Sequence, residues 1–169
     1  EGRATLGRFV ERYPEHENVD FARRMIAEPL SARVPLLPDF SFRTLDGGTL
    51  SNVDLEGRVV LLDVWATWCA PCREAFPFLK NLAKRHQKDP FELVSLSVDS
   101  DEFVLRDFIN EVEPSWPQIW DGRERWTNRA LEVSKYPTYV LVSPEGEMLY
   151  RISGGGPGIE KKLRRQVVQ

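Results

Sequence analysis

The stretch DVWATWCAPCREAF, residues 63–76, holds both cysteines of the 169-residue chain, Cys69 and Cys72. They follow an apolar run and stand where a helix should begin. A sulfur at that position faces unpaired backbone N–H groups and the positive end of the helix dipole. Both favour thiolate, so Cys69 is expected to be more acidic than a free thiol. Two intervening residues let the sulfurs reach bonding distance within one helical turn. Cys72 falls a turn deeper, on the buried stripe of the helix. The expected division makes Cys69 the exposed nucleophile and Cys72 the shielded thiol that resolves a mixed disulfide. Pro71 between them suits the first helical turn, where its missing N–H needs no partner.

Other uses of such a pair fit less well. Structural zinc takes about four ligands, and the remaining candidates are only His16 and His86. Attached haem needs a histidine after the second cysteine, where this chain has Arg73. A purely structural disulfide would close a tiny loop and gain little chain entropy. Asp63 interrupts the preceding apolar run and alternates with Leu61 and Trp65, so it points into the core. Burial disfavours a carboxylate, and its pKa is expected to rise.

The elements that must position these groups read as α/β. RVVLLDVWA (58–66) and FELVSLSV (91–98) have the composition of strands buried on both faces. Residues 70–86 form the helix that carries the cysteines, with Cys72, Phe76, Leu79 and Ala83 inward. FSFRTLDGGTL reads as a hairpin turning at Asp46-Gly47-Gly48. Helices are expected at 101–112, 123–133 and from Ile159 to Val168, and a strand, turn and return strand over 137–152. The loop 113–122 has room for a short strand. This order implies a central mixed sheet with helices on both sides.

Residues 1–34 differ. Leu6, Phe9, Val10 and Tyr13 make one apolar helix face, and Phe21, Met25 and Ile26 suggest a second helix between Asn18 and Pro29. This part is expected to be a helical arm or the end of an upstream domain. RVPLLPDF (33–40) reads as a linker, and residues 35–169 as the main domain. The chain begins at Glu1 without a signal-peptide pattern, which suggests a processed or excised chain. A net charge of −3 makes no global electrostatic case for nucleic acid or an acidic membrane surface. KKLRR (161–165) reads as a solvated helix face, as do Arg73, Glu74, Lys80 and Lys84.

LLDVWATWCAPCREAFP resembles the thioredoxin active site, with Trp68 before the first cysteine and Pro77 five residues after the second. YPTYVLVSPEGEMLYRISGG is similar to the second landmark of that family. The hairpin 40–51 and the long segment between the landmarks resemble the TlpA/ResA-like, redoxin-type subgroup of thiol–disulfide oxidoreductases. The likeness covers residues 35–169 and implies a thioredoxin fold with an N-terminal β-hairpin and a central insertion. It implies proton transfer between Asp63 and Cys72. It makes Pro137 a cis-proline facing the disulfide, leaving the backbone of Tyr136 to pair with an extended peptide. Trp68, Ala70, Pro71, Tyr136 and Pro137 become the substrate-facing set, and no metal or cofactor is expected.

Two positions depart from the pattern. Ser95 stands where thioredoxins carry a lysine near the aspartate, so the Asp63 pKa should rise further. Ala75 stands where the subgroup has a glutamate; the neighbouring Glu74 should point elsewhere, since a helix turns ~100° per residue. Asp63 is the candidate to take over that acid's role. The expected activity is thiol–disulfide exchange, with protein disulfides reduced as the favoured direction. Protein or small-molecule disulfides, and a thiol donor that recharges the pair, are the expected partners of a monomer that binds no nucleic acid. An extracytoplasmic setting follows from the resemblance, with the cytoplasm as alternative. Two competing readings remain. A peroxidase would need a Pro-x-x-x-Thr/Ser-x-x-Cys motif, but Leu62 and Ala66 occupy those positions. A non-catalytic thioredoxin-like sensor or binding module is the other.

Overall fold

The computed structural model describes residues 7, 8, 10–14, 23, 36–122 and 125–167. The chain divides into two compact units, Glu1–Pro35 and Leu36–Gln169. In the first, residues 7, 8 and 10–12 are helical. Leu6, Phe9 and the apolar residues of the expected second helix lie outside the described residues.

In the second unit a two-stranded hairpin, β1 (Ser41–Arg43) and β2 (Thr49–Ser51), pairs antiparallel around the Asp46–Gly48 turn. A short helix α1 (Asn52–Leu55) follows, then strand β3 (Val59–Trp65) and helix α2 (Ala70–Arg85). Strand β4 (Phe91–Ser97), helix α3 (Glu102–Val112) and strand β5 (Gln118–Trp120) come next. The chain continues through helix α4 (Trp126–Ala130), strands β6 (Thr138–Val142) and β7 (Met148–Ser153), and helix α5 (Pro157–Val167). The five-stranded sheet has the order β5-β4-β3-β6-β7. β3 pairs parallel with β4 and antiparallel with β6, so the sheet is mixed and β3 lies at its centre.

β3 is central because its β-branched and apolar side chains serve both faces. Leu61 and Trp65 pack with Cys72, Phe76 and Leu79 of α2 and with Leu105 of α3 and Leu163 of α5. Val60, Leu62 and Val64 pack on the opposite face with Leu55, Val94, Val140 and Leu131. The hairpin helps cover that second face: Phe40, Phe42 and Trp126 form an aromatic triangle with ring centroids 5.4–5.5 Å apart.

Two expectations are corrected here. Of the helix expected over 123–133, residues 123 and 124 lie outside the described residues, and the described part is helical only over Trp126–Ala130. Arg125 and Glu132 adopt left-handed backbone (φ 50 and 51), which bounds the helix on both sides. The linker reading of 33–40 fails at its described end. Leu36 bridges to Glu147, the Leu37 N–H donates to the Gly146 carbonyl at 2.8 Å, and Leu37 is buried. Two prolines bracket these leucines, and proline density hid a short sheet-edge contact.

Candidate active site

The first sulfur sits at the junction of β3 and α2. Cys69 is the N-cap of α2, with extended backbone (φ −87, ψ 101), and the Cys72 and Arg73 N–H groups donate to its carbonyl at 3.1 Å. Cys69 and Cys72 are joined by a disulfide, S–S 2.07 Å. Both residues are buried, Cys69 7 % and Cys72 2 % exposed. Cys69 is more covered than the sequence implied, lying in the core cluster against which Tyr136 also packs. α2 runs on through Pro77, whose missing N–H leaves the Arg73 carbonyl without its intrahelical donor.

The approach to the disulfide is held by a carboxylate that sequence reasoning missed. Asp99, just past β4, is buried and accepts the Thr67 N–H at 3.0 Å, the Thr67 hydroxyl at 2.7 Å and the Ser97 hydroxyl at 2.7 Å. It ties the loop ahead of Cys69 to the end of β4. Its signal was faint: a polar S-V-D after an apolar strand reads equally well as a surface turn. Gly155 presses on the other flank. A Cβ placed there would meet the Pro71 Cβ at 2.9 Å and its carbonyl at 3.3 Å, so only glycine allows this approach.

Around the disulfide, Trp68 is 65 % exposed and meets the Tyr136 ring edge-on at 5.7 Å. Ala70 and Pro71 are exposed, Tyr136 is half-buried and Pro137 is buried. The Tyr136–Pro137 peptide is cis, and the Pro137 carbonyl accepts the Gly154 N–H at 2.8 Å.

Asp63 is 1 % exposed and shares the face of β3 with Leu61 and Trp65, the face against which α2 and its cysteines pack. Burial pushes its carboxyl up to about 7, and a hydrogen bond from the Ser95 hydroxyl at 3.0 Å opposes the rise. Ser95 is its register partner on β4, and Tyr139 its partner on β6. Burial and then the field of Asp63 push the Tyr139 phenol above its usual range. Glu74 is exposed and Ala75 buried, so the acid one residue early does point away. Among the described residues no group of three or more His, Cys, Asp or Glu could hold a metal ion.

The arrangement sets a Cys-x-x-Cys disulfide at a helix start, over the same sheet face as a carboxyl that burial pushes up to about 7. A family model described as Redoxin matches residues 33–167. The chain is 30% identical over 117 residues to the thiol-disulfide oxidoreductase ResA of Bacillus subtilis, matching 69% of this chain and 65% of that relative. It thus spans less than two thirds of that curated relative's length. Among solved structures it resembles a Chlorobium tepidum protein described as a thiol:disulfide interchange protein DsbE, with TM-score 0.75 and 27% identity, over 80% of this chain and 95% of that one. It also resembles a thiol-disulfide oxidoreductase from Bacteroides fragilis, with TM-score 0.68 and 31% identity, over 78% of this chain and 99% of that one.

Proposed function

The chain belongs to the Redoxin family, and we propose that it is a thiol–disulfide oxidoreductase that reduces disulfides of other proteins through Cys69 and Cys72. The observation that carries this reading is the Cys69–Cys72 disulfide at the start of α2, over the same sheet face as the buried Asp63. In the reduced protein the Cys69 thiolate attacks a partner disulfide and one partner thiolate leaves. Cys72 gives its proton to Asp63, and its sulfur attacks the Cys69 sulfur. The mixed disulfide breaks, and the second partner thiolate leaves and takes a proton. Two electrons pass from the dithiol to the partner, and a separate thiol donor returns them later.

Trp68, Ala70, Pro71 and the Tyr136–Pro137 segment form the surface on which an extended partner segment lies in this reading. The likeness to TlpA/ResA-like proteins supports an extracytoplasmic setting, and the protein acts as a monomer. Among the described residues no helix is long and apolar enough to cross a membrane.

The test is reduction of insulin disulfides with dithiothreitol as donor. Cys69→Ser is expected to abolish catalysis, and Cys72→Ser to accumulate a Cys69 mixed disulfide detectable by mass. Equilibration in dithiothreitol buffers should give a potential nearer the ~−270 mV of thioredoxin than the ~−120 mV of a strong oxidant. Catalysis that survives Cys69→Ser overturns the reading. The absence of a reversible couple would point to a sensor module instead.

A further inference from the structure

Asp63 Oδ2 accepts from the Ser95 hydroxyl, and that hydroxyl is itself held. Ser95 Oγ accepts the Trp116 indole N–H at 2.8 Å, across 21 residues of sequence. The Ser95 N–H donates to the Pro117 carbonyl at 3.1 Å, which fixes the backbone beneath it. All three side chains are buried, Trp116 at 5 % exposure. A serine hydroxyl has one proton and two lone pairs. With an indole N–H on its oxygen, the proton is directed to the carboxylate. Linked bonds of this kind polarise one another in a low-dielectric interior. Phe76 of α2, the helix that carries both cysteines, lies 5.9 Å from the Trp116 ring, centroid to centroid.

We propose that Trp116 and Ser95 are positioning residues for proton transfer at Asp63: the indole fixes the serine hydroxyl, the hydroxyl holds Oδ2, and Oδ1 is left to receive the Cys72 proton. The proposal rests on the reading of Asp63 as proton carrier. In the step it serves, the Cys72 S–H bond breaks and its proton goes to Oδ1. The electron pair left on Cys72 Sγ forms the bond to Cys69 Sγ. The bond between Cys69 and the partner breaks, and its pair leaves on the partner sulfur. Ser95 and Trp116 gain and lose nothing; they set the orientation and the ionisation of the acceptor.

Tyr139 stands directly opposite Asp63 on β6, Glu160 of α5 acts on Tyr139, and Cys72 of α2 packs over the same face of β3. Tyr139 is pushed further above its usual range and stays protonated near neutrality, so a limb read there is assigned to Asp63. The Ser95 hydrogen bond favours the charged carboxylate, so losing it must move the limb upward.

The experiment follows the reduced full chain with oxidised glutathione on either side of pH 7, reading the decay of the Cys69–glutathione mixed disulfide after acid quench. Ser95→Ala is expected to move the acid limb up by about one pH unit, and Trp116→Phe by less. Trp116→Phe should add nothing in the Ser95→Ala background, because the indole acts through the hydroxyl. Ser95→Thr should keep the wild-type limb. If Ser95→Ala does not fold, Trp116→Phe and Ser95→Thr carry the same test. Limbs that stay in place, or shifts that add, overturn the proposal, provided Asp63→Asn removes the limb. A limb that persists in Asp63→Asn overturns the proton-carrier reading, and this proposal with it.

Discussion

Trp68 stands with most of its ring in solvent beside a disulfide that is itself nearly covered. A partner must therefore reach the sulfurs past this ring, and its contact with Tyr136 gives it a fixed orientation. Exposed aromatic anchors of this kind dominate binding, and truncating one costs on the order of 1–2 kcal/mol. Trp68→Ala is thus expected to raise KM for insulin roughly 5–30-fold at similar kcat. Turnover of oxidised glutathione, which has little surface to dock, should change far less, and the Tm should hold. Equal losses on both substrates would assign the ring to the chemistry rather than to docking. At this scale the cysteine pair and Asp63 were legible, because a charge inside an apolar strand and a Cys-x-x-Cys after it are local signals. Trp116 was not. A buried tryptophan reads as core, and its one polar atom finds its partner far away in sequence.

At the scale of elements, the site depends on how the β3–α2 loop is fastened. Asp99 collects the Thr67 N–H, the Thr67 hydroxyl and the Ser97 hydroxyl, and Trp120 donates its indole N–H to the Asp99 carbonyl at 2.6 Å. Replacing the carboxylate by a methyl group leaves buried donors unpaired. Asp99→Ala is expected to lower the unfolding free energy by about 2–4 kcal/mol in urea titrations. Insulin reduction should fall as well, because the loop before Cys69 loses its anchor. An activity loss without a stability loss would argue against a fastening role. β3, β4 and α2 were legible from period and composition, since each is long and either apolar throughout or apolar on one stripe. α4 was overextended, because its limits lie in left-handed residues at Arg125 and Glu132 and in the Asp121 carboxylate, which accepts the Trp126 and Thr127 N–H groups at 2.7 and 3.0 Å. None of the three carries a glycine or proline to mark the boundary.

For the whole molecule, a carboxyl at the centre of the sheet is a stability cost that depends on pH. The Asp63 carboxyl titrates at about 7 when folded, against 3.8 as its ordinary value, because burial outweighs the Ser95 hydrogen bond. The folded state therefore holds a proton that the unfolded state has released between those two values. The stabilisation relative to the ionised state is complete below about pH 3.8 and is lost as pH rises through 7. Asparagine has the same shape and no titration, so the two proteins should diverge as pH rises. Between about pH 5 and pH 8 the stability of Asp63→Asn relative to wild type should grow by about 2–3 kcal/mol, read from paired urea titrations of the oxidised proteins. Every other titrating group is common to both proteins and cancels in the comparison. A gap that stays constant would mean that Asp63 keeps its charge state on folding, and a gap that shrinks would mean that the carboxylate is stabilised in the core. A growing gap would show that Asp63 costs the fold most where it is ionised, the form that must accept the Cys72 proton. Stability and proton transfer then draw on the same buried group in opposite directions, which is a physical reason for a single, weakly offset carboxylate at that position.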